Sequence, residues 1–142
     1  MAHPEPVAAL WRRQLLPFLP SSLQRAVAGI PDALACQALN INPRDLVSGS
    51  QVHGGLVEVV GRCDLGRGAL SQEESLPGTD ALITGEAGVP LSSYYADCVP
   101  LFFLDPARRV IALAHAGWKG TVLQIGRKTV EAMAAAFNSD PR

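Results

Sequence analysis

Two nearly continuous apolar runs set close together constrain this chain more than any other feature: Val99-Pro100-Leu101-Phe102-Phe103-Leu104 and Val110-Ile111-Ala112-Leu113-Ala114. Neither run alternates with polar residues, so each is expected to be a central strand covered on both faces. The link from Asp105 to Arg109 opens on an Asp-Pro turn signal and is of hairpin length. Two more apolar runs, Ala81 to Thr84 and Pro90 to Tyr95, are expected to join the same sheet. The β-branched content of Leu56 to Val60 marks another strand.

After Gly117 the period changes. Val122, Ile125, Thr129, Val130, Met133 and Phe137 recur at three- and four-residue spacing, which predicts one amphipathic helix from about Gly120 to Asn138, stopped by Pro141. A shorter helix is expected over Ala33 to Leu39, with Asn40 and Pro43 as its stop signals. Residues 61–79 carry glycines, a proline and scattered charges without an apolar period, and are expected to be a surface loop. Residues 1–30 hold prolines, Trp11 and a short apolar stretch, and are expected to form a poorly defined arm. A helix across a sheet is a layered α/β or α+β arrangement.

Composition narrows the function classes. The chain has 142 residues, 48% of them hydrophobic and 18% charged, the balance of one globular domain. Its 12 basic and 13 acidic side chains leave a net charge of −1, which offers no broad field to a phosphate backbone or an anionic membrane. No nucleic-acid partner is therefore expected. No run reaches the roughly 18 to 20 apolar residues of a membrane-spanning helix. Pro17 and Pro20 cut the apolar stretch after Arg12 and Arg13 below the length of a secretory core, so export is not expected. Three widely spaced cysteines fit reduced thiols in a cytoplasm better than a disulfide framework.

His53, Cys98 and His115 each stand at the end of an expected strand, and each is a potential soft metal ligand. None belongs to a close C-x-x-C-type pair, so a site would be assembled by the fold from separate strand ends. Two His with one Cys is a known catalytic zinc set, leaving a fourth position open. In His115-Ala116-Gly117-Trp118-Lys119-Gly120-Thr121 the two glycines permit close approach of a ligand, while amides at the following helix start and the Lys119 cation favour an anion such as phosphate. Asp97, beside Cys98, is the candidate for proton transfer or ligand orientation. Two other readings stay open. Cys98 could be a metal-free thiolate nucleophile activated by His115, as in a cysteine hydrolase. Alternatively the chain is a non-catalytic module with a structural metal, which requires a fourth protein ligand such as Cys63 or His3; Cys36 falls in an expected helix.

Four segments in this order, Gln51-Val52-His53-Gly54, Thr79-Asp80-Ala81-Leu82-Ile83-Thr84, Ala96-Asp97-Cys98-Val99-Pro100 and His115 to Thr121, resemble the successive motifs of the YfiH-like family. Its members were first described as laccase-domain or multicopper polyphenol oxidase proteins and later as purine nucleoside phosphorylases. The resemblance implies an α/β layered sandwich with a mixed central sheet and flanking helices, and a zinc held by His53, Cys98 and His115. It implies cleavage of adenosine, inosine and methylthioadenosine with phosphate, and deamination of adenosine. It also implies that residues 31–142 are the N-terminal part of the family domain, since family members continue beyond the helix into strands and a Gly-Pro motif that help form the pocket. Copper is the older assignment. Three histidines cannot build the several copper centres of a multicopper oxidase, so phenol oxidation is not expected.

Overall fold

The computed structural model describes residues 33–141. The expected arm over residues 1–30 and the candidate ligand His3 lie outside the described residues. In chain order the elements are α1 (Ala33–Ala38), β1 (Val47–Ser48), β2 (Leu56–Val59), β3 (Thr79–Thr84), β4 (Leu91–Ser92), β5 (Val99–Asp105), β6 (Val110–Ala116), α2 (Trp118–Val122) and α3 (Ile125–Phe137). The hairpin forms as its short link dictates, with β5 and β6 antiparallel from Val99 opposite Ala116 to Asp105 opposite Val110. The main sheet has the order β2-β3-β6-β5. Its β2–β3 pair is parallel and the others antiparallel, so the sheet is mixed.

Alternation along the strands sends small and branched residues to one face of this sheet, where α3 packs. Ala81, Ala114 and Ala116 meet Ile125, with Leu101 and Phe103 against them; Ile83, Val110 and Ala112 meet Met133. The alanines of β6 are small enough to let the helix lie close to the strand. On the other face Leu82 of β3 joins Val47, Val60, Leu76 and Val89 in a second cluster. All six residues of β3 are buried, so β3 is a strand covered on both sides. Asn138 ends α3 in the left-handed region at φ 55°, its N–H donating to the carbonyl of Ala134.

Four expectations are corrected. The run Val99 to Leu104 does not form a central strand: β5 is an edge of the sheet, with Phe102 78% and Leu104 69% exposed. Apolar content alone does not separate a strand with two covered faces from one with a single covered face, and the described residues place a helix on one side of β5 only. Residues 90–95 contribute only Leu91–Ser92 to a strand, which pairs in parallel with β1 in a separate two-stranded sheet. The single helix from Gly120 to Asn138 is two, because Gln124 adopts φ 58° and breaks the helical path. That break turns Val122 off the apolar face, leaving it exposed. Finally, residues 61–79 are not a simple surface loop. Leu76 is buried; its N–H donates to the Ser48 carbonyl, and the Ser50 N–H donates to the Leu76 carbonyl, which ties the segment alongside β1.

Candidate metal centre

The sheet brings three distant segments together at one end. His53 sits in the turn before β2, Cys98 immediately precedes β5, and His115 is the penultimate residue of β6. Because Val99 faces Ala116 across the hairpin, continuing the register sets Cys98 beside Gly117. His115 points away from α3, since its neighbours Ala114 and Ala116 face that helix. The donor atoms of His53, Cys98 and His115 all lie within 4.8 Å of one another. The His53 and His115 rings meet edge to face, with centroids 4.7 Å apart.

The donor set and its spread suit one ion held about 2.0–2.3 Å from each donor after small side-chain rotations. A further observation concerns the space at the cluster. A β-carbon placed on Gly117 would fall 2.7 Å from His53 Cδ2 and 3.1 Å from Cys98 Sγ, so this position admits glycine alone without displacing two donors. Gly117 has φ −75° and ψ 173°, an ordinary extended conformation, so its requirement is spatial and not conformational. Among the described residues the cluster has three members; Cys63 is exposed elsewhere beside Asp64, and Cys36 is buried in α1.

The carboxylate that touches the cluster is Asp80, not Asp97. Asp80 lies on β3 directly across from His115 if the pairing of Ala81 with Ala114 is continued by one residue. It is buried, and its Oδ1 is 2.9 Å from His115 Nδ1. Its oxygens also accept the His53 and Gly54 amides at 2.9 and 2.7 Å. Burial pushes the Asp80 carboxyl up, but the His115 hydrogen bond, the Gly54 amide, the His115 charge and the His53 amide together hold it below the ordinary range. Asp97 is exposed. Sequence pattern does not single out Asp80, because an acidic residue within an otherwise apolar strand signals a partner without naming it.

Two further residues shape the site. Gln51 donates to the Tyr94 carbonyl at 2.7 Å and accepts the Tyr94 N–H at 2.8 Å, clamping the segment that leads to Cys98 onto the turn that carries His53. Buried Tyr95 donates its hydroxyl to the Ala114 carbonyl and stacks at a tilt 5.5 Å from His115. Burial, then the charges of Asp97 and Asp80, push the Cys98 thiol up. Trp118 and Lys119 are exposed at the start of α2, Trp118 at 81%, and Gly120 is buried against Gly54. Because α2 has only five residues, its dipole is a weaker source of anion attraction than a long helix would provide.

Comparisons with known proteins give the chain's family and fold. A family model described as multi-copper polyphenol oxidoreductase laccase matches residues 26–142. The purine nucleoside phosphorylase YlmD of Bacillus subtilis is 42% identical over 102 residues, covering 72% of this chain and 37% of that protein. The adenosine deaminase RL5, from an unknown prokaryotic organism, is 37% identical over 95 residues, covering 67% of this chain and 36% of RL5. The crystal structure of YlmD from Geobacillus stearothermophilus superposes with a TM-score of 0.76 at 35% identity, over 78% of this chain and 41% of that one. The chain thus spans a little over a third of the length of these curated relatives. With the fold, the motif order and the family model in agreement, the chain belongs to the YfiH-like, laccase-domain family that includes the YlmD purine nucleoside phosphorylases.

Proposed function

We propose that this chain carries the zinc centre and part of the substrate pocket of a purine nucleoside phosphorylase acting on adenosine, inosine and methylthioadenosine, with adenosine deamination as a second reaction. Residues 31–142 are then the N-terminal part of the family domain, working in the cytoplasm. The observation that carries this reading is the convergence of His53, Cys98 and His115 within 4.8 Å around a glycine that leaves them room. The relatives' names, phosphorylase and deaminase, supply the substrate class. Zinc is preferred to copper, since two histidines and one thiolate are a known catalytic zinc set and the cluster among the described residues offers one site of that kind. No helix among the described residues is long and apolar enough to cross a membrane.

In phosphorolysis the bond between the sugar and the purine nitrogen breaks, a bond from the sugar to a phosphate oxygen forms, and the departing base takes up a proton. His53, Cys98 and His115 hold the ion, which when bound supplies Lewis acidity or an activated water. Lys119, with the backbone at Gly117 and Gly120, offers a cation and close access for phosphate. The exposed indole of Trp118 offers a flat apolar surface to the purine. Asp97, exposed and next to Cys98, serves proton transfer with solvent.

The cysteine-hydrolase reading is weaker, because a nucleophile needs a lowered thiol pKa and the surroundings of Cys98 raise it. The structural-metal reading lacks a fourth donor in the cluster among the described residues. The deciding experiment is elemental analysis of the purified chain and of Cys98→Ala, with purine release from inosine followed with and without phosphate. About one zinc per chain and phosphate-dependent release, both lost in Cys98→Ala, are expected for a site of this type. Metal without turnover would confine the proposal to ion binding, and no metal would refute it.

A further inference from the structure

We infer that Asp80 is the positioning residue of this centre: one buried carboxylate fixes the ring of His115 and the turn that carries His53, setting two ligands relative to each other before an ion arrives. The inference rests on the reading of His53, Cys98 and His115 as the centre, but its first test needs no metal.

The geometry is unusual in joining three donors from two segments on one side chain. The His53 and Gly54 amides can only donate, and they reach Oδ1 and Oδ2 respectively, so both carboxylate oxygens already act as acceptors. His115 Nδ1 lies 2.9 Å from Oδ1. It must therefore present its hydrogen there, which leaves Nε2 of a neutral ring with the free lone pair that a metal ligand requires. The same oxygens hold His53 at φ 58°, a left-handed backbone that side-chain-bearing residues seldom adopt. Gly54 is part of the device, since a β-carbon there would lie 3.1 Å from Asp80 Oδ2. A carboxylate that merely capped the turn would have no reason to face the His115 ring, and one that merely paired with His115 would not need both amides.

The test uses the full chain, labelled with nitrogen-15 histidine and free of metal, at a pH where imidazole is neutral. His3→Gln and His53→Gln variants identify the His115 signals. The wild-type ring should be in the Nδ1–H form, and Asp80→Asn, which places an amide NH2 against donors, should shift it toward Nε2–H. Zinc affinity, measured by competition with a chromophoric chelator, should fall roughly 10- to 100-fold in Asp80→Asn, the usual effect of losing a partner behind a ligating histidine. A wild-type ring already in the Nε2–H form would overturn the inference even if Asp80→Asn fails to fold, as would undiminished zinc affinity in a folded variant. If the wild-type chain binds no zinc, the metal reading fails by itself, and the tautomer still decides the role of Asp80.

Discussion

Gly117→Ala isolates the spatial requirement of the centre, because nothing else about the position resists a side chain. The backbone there is in an ordinary extended conformation that alanine adopts freely. The added methyl would stand 2.7 Å from His53 Cδ2 and 3.1 Å from Cys98 Sγ. Carbon contacts relax to about 3.5–4.0 Å, so the His53 ring must move by about 1 Å and the Cys98 sulfur by somewhat less. Overpacking of this kind costs roughly 1–3 kcal/mol. Here His53 is exposed and yields in the metal-free chain, so the strain falls on ion binding, where ligands must return to place within about 0.5 Å. Taking about 2 kcal/mol as the penalty, zinc affinity should fall about 30-fold. Chelator competition measures the affinity, and circular dichroism should show a melting midpoint of the metal-free chain within a few degrees of wild type. Wild-type zinc affinity in Gly117→Ala would refute the placement of Gly117 between two ligands. A large loss of metal-free stability would instead show that the turn, and not the centre, needs the glycine.

Gln51→Ala removes both hydrogen bonds to the Tyr94 backbone, which should cost about 2 kcal/mol in urea unfolding and hasten thiol labelling at Cys98; unchanged labelling would show that the clamp does not hold that segment. Phe102→Lys with Leu104→Lys, both on the open face of β5, should leave the melting midpoint of the chain nearly unchanged, because neither side chain is packed in the fold; a drop of many degrees would show that this face is covered. At Asp105 the nearby Ser139 side chain and then the Arg108 amide, which donates to Oδ1 at 3.1 Å, hold the carboxyl below its ordinary range. A folded-state value below the unfolded one stabilises the fold above about pH 4 and loses that stabilisation as pH falls further. Asp105→Asn should therefore flatten the acid limb of a stability-versus-pH curve, and an unaltered limb would remove Asp105 as a contributor.

Much of the fold could be read from the sequence because local signals and long-range packing agreed. The hairpin followed from a link too short for anything else, and β3 and β6 followed from apolar runs bounded by turn signals. The family's layered α/β architecture holds in the superposition with YlmD. What failed did so where one residue decides. A single left-handed Gln124 splits the helix, yet it lies between Val122 and Ile125, whose spacing keeps the helical period through the break. Leu91–Ser92 pairs with β1 because the residues after it are taken up by the Gln51 clamp, a contact between positions far apart in the chain.

At the centre the same contrast appears more sharply. His53, Cys98 and His115 could be proposed from ligand chemistry, since few side chains bind a soft metal and the chain has few of them. The residue that arranges two of them could not, because nothing in a strand reading Thr-Asp-Ala-Leu-Ile-Thr distinguishes a solvated carboxylate from a buried one. Asp97 drew attention by adjacency to Cys98 in the chain, but residues 96–98 form a bend in which Asp97 is exposed, and the carboxylate within hydrogen-bond reach of a ligand ring is Asp80. Asp80 is close to His115 for the opposite reason: antiparallel pairing of β3 with β6 places residues far apart in sequence directly across from each other, and cross-strand neighbours share a face. Register between strands, which no single-segment pattern encodes, is therefore what turns an acidic residue into the partner of a ligand. In a sheet-built metal site the search for orienting carboxylates should begin across the ladder from each histidine and only afterwards turn to its neighbours in sequence.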